Sequence, residues 1–142
     1  MTTDERPPAT SHKSAPRHVG LVAGLSGAVA VALGAFGAHA LSGVLPEGRL
    51  DTLATANEYH FYHTLALLAT LALPYSRRVR WAQVAFGWGH VLFCGSLYLL
   101  ATRGLLGAES AGWFGAITPL GGVAFIAGWI LLALAMWEAG GG

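Results

Sequence analysis

The sequence predicts an all-α, membrane-embedded four-helix bundle, and three observations carry that prediction. Charge is scarce: Lys and Arg number 8 and Asp and Glu 7, against 54% hydrophobic residues, where a soluble domain is about one quarter charged. Charge is also segregated, because residues 19–41, 60–75, 81–102 and 113–137 contain none of it. Those intervals are continuously apolar. They lack the period-two alternation of a membrane β-barrel strand and the polar stripe of a soluble bundle helix. An apolar helix of about 20 residues rises about 30 Å, the thickness of a bilayer's hydrocarbon core. At 142 residues the chain has room for one domain.

Residues 1–18, "MTTDERPPATSHKSAPRH", are rich in Pro, Ser, Thr and charge without apolar periodicity, and are expected to form a disordered polar leader. The first helix is expected over 19–41, and "SGVLPEGRL" is the turn after it. The second is expected over 50–75. Its apolar part is short, but no helix breaker interrupts Leu50 to Leu73, so its first turns are placed at the interface. "SRRVR" then forms a basic loop before a third helix over 81–102. The fourth is expected over 113–137, leaving 138–142 as a short tail. Thr118-Pro119 allows either a start at Pro119 or a kink there in a helix that begins at Trp113, and the kinked helix is the one expected.

Four crossings put both termini and the 76–80 loop on one side, with Arg6, Lys13, Arg17, Arg77, Arg78 and Arg80. The other side has only Arg49 and Arg103. Positive loops stay cytoplasmic, so both termini are expected inside, with Arg77, Arg78 and Arg80 as the topology signal. A net charge of +1 gives no basis for nucleic-acid binding.

"GAFGAHALSG" poses a choice. Ala38-His39-Ala40 mimics a signal-peptidase site, but the apolar stretch before it is too long for a signal peptide. Gly20, Gly24, Gly27, Ala28, Gly34 and Gly37 read instead as a seam where helix backbones approach in lipid, with Gly121 and Gly122 doing the same in the fourth helix. The first helix is therefore expected to be retained, and an exposed small-residue stripe leaves room for a homo-oligomer or another membrane-protein partner.

Buried imidazoles in lipid need partners. Counting rise from the segment ends puts His39 and His63 at one depth near the outer rim, with Glu58, Tyr59, His60 and Thr118 close by. His90 falls roughly 18 Å below the outer end of its helix, more than 10 Å from His63's level, which counts against a haem between them. His60 and His63 share a helix face and would suit a metal with His39 as a third ligand, but no second carboxylate accompanies them. A proton relay through Glu58 and the histidines is the other chemistry on offer. The expected role of the cluster is interhelical hydrogen bonding. No catalytic residue, confirmed metal site or cofactor is read from the sequence, and the lone Cys94 cannot form an intrachain disulfide.

"GAFGAHAL" (34–41), "EYHFYHTLALL" (58–68), "GSLYLL" (95–100) and "ITPLGGVAFIAGW" (117–129) occur in that order. Together they resemble a small bacterial inner-membrane family of unknown function that includes eukaryotic transmembrane protein 256. The resemblance spans about residues 19–137. It implies a four-helix membrane protein with its first helix retained, and it implies no reaction or ligand. The expected function is that of a non-enzymatic multi-pass protein of the bacterial inner membrane, an accessory or assembly factor. The alternative is a carrier that binds a proton, metal ion or small molecule through the His/Glu/Tyr cluster.

Overall fold

The computed structural model describes residues 16–141. α1 (Arg17–Phe36) runs on through a π turn, Gly37–Leu41, and α2 (Glu47–Ala69) ends in a 3-10 turn, Thr70–Ala72. A second π turn, His90–Cys94, joins α3 (Arg77–Gly89) to α4 (Gly95–Thr102), so these three pieces make one rod. After 3-10 turns over Glu109–Ala116, α5 (Thr118–Ala139) completes an all-α bundle of four rods, with no strand among the described residues.

Local chemistry moves the helix ends away from the expected limits. Of the polar leader, residues 1–15 lie outside the described residues, while Arg17 and His18 already belong to α1. α2 begins at Glu47, directly after Pro46, and the Glu47 carboxylate suits the positive end of the helix. It stops short of Tyr75 because Leu73 precedes Pro74 and is held extended, at φ −96° and ψ 150°. α3 begins at Arg77 because the Ser76 hydroxyl accepts the Val79 N–H at 3.3 Å. Arg77, Arg78 and Arg80 therefore lie in the first turn of a helix, not in a loop.

Pro119 starts a helix instead of kinking one. It sits in the first turn of α5, where its missing N–H removes no helical hydrogen bond. Trp113 belongs to the preceding 3-10 turns. Gly107, with φ +64°, supplies the left-handed residue that turns the chain after α4.

Three rods are long and apolar enough to cross a membrane: Arg17–Leu41, Arg77–Thr102 and Glu109–Ala139. The α2 rod is the polar one, and it turns His60, His63 and Thr64 inward, away from lipid. Leu21, Leu25, Trp88, Ile126 and Ile130 point outward, where hydrocarbon would cover them.

The seam of α1 differs from the expected one. Ala23, Ala30, Gly37 and Leu41 are buried, and Gly27 and Gly34 face Thr64 and Asn57 of α2. Alternate steps of four and three residues keep this row on one side of the helix. A strict i, i+4 row drifts about 40° per step, which is why Gly24 and Ala28 end up exposed and a Cβ at Gly24 would meet nothing within 4 Å. Gly20 lies against Leu71, Gly37 against Leu53, and Gly122 near the Phe93 ring. The tightest seam joins α3 and α5. Phe86 is seated on Gly128, Phe125 on Gly89, and the backbone of Phe93 on Gly121.

Each end of the bundle has an ionic tie. Arg78 pairs with Glu138 where α3 begins and α5 ends. At the opposite end Arg49 makes a fork to Glu109 at 2.9 and 3.0 Å, and Arg103 approaches the same carboxylate at 3.4 Å.

Candidate functional site

The middle of the bundle holds the polar groups that its apolar exterior excludes. His60, His63 and Thr64 occupy one face of α2, at the i, i+3 and i, i+4 spacing that places side chains together. Ser26, the one hydroxyl in residues 19–41, reaches them from α1. His90 reaches them from the π turn, and Tyr98 from α4.

These groups form one hydrogen-bonded chain. Asn57 Oδ1 is 3.1 Å from the Tyr98 hydroxyl, which is 3.2 Å from His60 Nδ1. His60 Nε2 is 2.9 Å from Ser26 Oγ, and Ser26 Oγ is 2.8 Å from Thr64 Oγ1. Thr64 Oγ1 is 3.1 Å from His90 Nε2. The chain ends where His90 Nδ1–H donates to the Phe86 carbonyl at 2.7 Å. His90 Nε2 also faces the His60 carbonyl at 3.3 Å.

His63 stands beside this chain without joining it. Its Nδ1–H donates to the Tyr59 carbonyl at 2.7 Å, and its ring stacks on Phe125. A second polar pair lies nearer the bundle end that carries the basic residues. There Gln83 Nε2 donates to Thr70 Oγ1 at 2.9 Å, and the Thr70 hydroxyl donates to the Leu67 carbonyl at 2.6 Å. No side-chain hydrogen bond among the described residues joins this pair to His90.

The residues expected to cluster at the outer rim occupy separate places. His39 is exposed on the first π turn. Glu58 is exposed, and Tyr59 turns its ring onto Phe93 at 4.6 Å. Thr118 bonds Ser96 at 2.7 Å in a separate contact of α4 with α5. Only His60 and His63 reach the interior. Beside them is His90, with ring centroids 5.2 Å from His60 and 6.5 Å from His63. The expected depth gap of more than 10 Å is absent. The expectation puts the first turns of the second helix at the interface, whereas α2 packs along the other rods through those turns and carries His63 to the middle of the bundle.

Ser26, Thr64 and Tyr98 were not singled out in the sequence. Ser26 had a signal in being a solitary hydroxyl among small apolar residues. Thr64 had one in lying four residues after His60.

A groove of about 400 Å³ opens between α1 and α2, lined by Gly34, Gly37, Leu50, Leu53, Asn57 and Glu58. It meets the polar chain at Asn57. Among the described residues, no group of three or more His, Cys, Asp or Glu side chains is arranged to hold a metal ion.

The protein family described as "Protein of unknown function (DUF423)" matches residues 33–122. The UPF0382 inner membrane protein YgdD of Escherichia coli K12 is 42% identical over 116 residues, covering 79% of this chain and 83% of the relative. The UPF0382 membrane protein YwdK of Bacillus subtilis is 40% identical over 119 residues, 81% and 92% of the two chains. A UPF0382 membrane protein of Haemophilus influenzae is 41% identical over 126 residues, 87% and 95% of the two. No solved structure matches the chain. With a polar chain enclosed by apolar rods and relatives that match most of its length, the protein belongs to the DUF423 (UPF0382) family of membrane proteins of unknown function.

Proposed function

We propose that the protein is a non-enzymatic, proton-binding bundle of the bacterial inner membrane. The observation that carries this reading is the interior chain from Asn57 to His90, in which two imidazoles and three hydroxyls are joined at 2.8 to 3.2 Å. A metal would require ligand atoms converging on one point, whereas here each atom is turned to its neighbour. An apolar ligand would require an empty space at the centre, where Phe86 and Phe125 are packed instead. A proton is the ligand that such a chain accommodates without rearranging its heavy atoms.

The test is nitrogen NMR on full-length protein labelled at its histidines and reconstituted in bilayers. The chain is expected to take up a proton without losing its fold, seen as a change in its histidine ring-nitrogen signals. Ring-nitrogen signals that stay constant while the bundle remains folded would reduce the chain to interhelical glue. Stoichiometric metal in the purified protein, lost in His63→Ala, would overturn the reading in favour of an ion.

On the same reading both termini lie in the cytoplasm. Support comes from Arg77, Arg78 and Arg80 at the terminal end of the bundle, together with the neutralising hold of Glu109 on Arg49 and Arg103 at the other. The kinship with eukaryotic transmembrane protein 256 belongs to the same proposal and is supported by the four ordered motifs.

One observation favours a second reading, an accessory or assembly factor that pairs with its own copy or another membrane protein. Gly24, Ala28 and Ala32 form an exposed small-residue row on α1, the kind of surface that lets helix backbones approach in lipid. Cross-linking in membranes checks it, since Gly24→Leu should abolish any adduct that depends on this row.

A further inference from the structure

We infer that the groove between α1 and α3 binds one anionic glycerophospholipid, with its phosphate at Arg80 and one acyl chain laid against Val22, Val84 and Gly87. The groove lies at the terminal end of the bundle, apart from the interior chain, and its occupant stands independently of the proton-binding reading.

The groove follows from how the rods pair. α1 packs along α2 and α3 packs along α5, which leaves a gap between α1 and α3 at the end where both begin. The gap has a volume of about 460 Å³. Its floor is formed by Val19, Leu67 and Gln83, all buried, and its walls include the exposed side chains of Val22 and Val84. Gln83, the one polar side chain on the floor, already donates to Thr70 at 2.9 Å. The inner part of the groove is therefore an apolar surface turned toward the bilayer.

Gly87 points to what lies on that surface. It is exposed on the groove wall, and a Cβ added there would meet nothing within 4 Å. No neighbour in the bundle requires a glycine here, unlike Gly89 and Gly121, and glycine is the poorer helix former. Its missing side chain instead widens the groove and lets a chain from outside approach the α3 backbone. A helix, about 10 Å across, fills about 400 Å³ in each turn, so the groove would seat only about one turn of a partner helix. It is sized for an acyl chain.

The mouth of the groove selects the headgroup. α1 and α3 both present their N-terminal ends there, each with the partial positive charge of a helix start. Arg80 lines the groove with His18 and Tyr75, and no acidic side chain lines it. Among the described residues Arg80 has no carboxylate partner, whereas Arg49, Arg78 and Arg103 each have one. A guanidinium offers a phosphate two N–H donors side by side, and the Tyr75 hydroxyl and the His18 ring supply further donors. Arg80 and Gly87 are two turns apart, about 10 Å along α3, so the phosphate and the chain of one lipid reach both. Basic pockets between membrane helices hold anionic headgroups in this way.

Native mass spectrometry of the full-length protein released from vesicles tests the site, with equal amounts of phosphatidylglycerol and phosphatidylcholine of the same acyl chains as probes. The wild type should retain one phosphatidylglycerol in preference to phosphatidylcholine. Arg80→Gln should lower that retention about five-fold, the contribution of one basic residue near an anionic surface. Arg77→Gln removes the same charge from the same turn, outside the groove, and should leave retention unchanged. Gly87→Leu should lower retention by filling the groove, while its thermal unfolding in lipid-free detergent stays at or above that of the wild type, because the new side chain meets open space. Equal retention of the two lipids, equal losses from Arg77→Gln and Arg80→Gln, or undiminished retention in Gly87→Leu would overturn the site. So would a photoactivatable residue in place of Val84 that captures residues 1–15 of this chain, or a second copy, instead of lipid.

Discussion

The imidazole of His63 lies face to face with the ring of Phe125, their centroids 3.4 Å apart and their planes 14° from parallel. Its Nδ1–H is already spent on a carbonyl of its own helix, so packing dominates its role. His63→Phe should therefore keep stability within about 1.5 kcal/mol, the range of volume-conserving swaps. Phe125→Ala should lose about 3–5 kcal/mol by emptying the space above Gly89. Thermal unfolding in detergent, followed by circular dichroism, compares them. Equal damage from both would mean that the His63 imidazole does more than fill the stack.

Gly121 and Gly24 should respond oppositely to one added methyl group. At Gly121 the new Cβ would strike the backbone of Leu92 and Phe93, which cannot swing aside. Gly121→Ala should cost about 1–3 kcal/mol, the usual penalty of overpacking. Gly24→Ala meets open space and should be neutral to slightly stabilising, because Gly is the poorer helix former. The same unfolding measurement ranks the two.

Thr70 and Gln83 form an asymmetric pair. Gln83→Leu leaves the Thr70 hydroxyl still donating to the Leu67 carbonyl. Thr70→Val leaves the buried Gln83 amide without its acceptor, so it should be the worse single change, by about 1 kcal/mol. The double mutant should recover part of the loss, with a coupling of about 0.6 kcal/mol, the average for such bonds in membranes. Additive losses would show that the two side chains do not depend on each other.

Topology has a direct readout in alkaline phosphatase fusions. A fusion after Gly142 should be inactive and one in the turn at Ser42–Leu45 active. Activity after Gly142 would place the termini outside.

Much of the architecture was legible because bilayer thickness converts apolar length into helix number, and proline and charge mark where helices stop. The rule before Pro74 and the cap at Ser76 were also in the sequence, but they shifted the second and third helices by only a few residues. Pro119 was harder, because Thr118-Pro119 suits a helix start and a kink equally well until the preceding turns are seen. The polar site was the least legible part. Depth counted along one segment depends on where the hydrocarbon boundary is set, and the polar first half of α2 set that boundary too close to His63. His63 and His90 were therefore placed on different levels although their rings are 6.5 Å apart.

By itself the sequence determined that this protein is a bundle of membrane helices, how many rods it has, and which stretches of chain supply them. Those properties follow from the cost of exposing charge and backbone to hydrocarbon, a cost that accumulates along the chain and can be read one segment at a time. Tertiary structure alone decided which glycines form seams and which polar groups meet. Rotation of each helix about its axis is set by all its neighbours together. It turned Gly24 outward, brought Ser26 within 2.9 Å of His60, and joined side chains up to 41 positions apart into one chain.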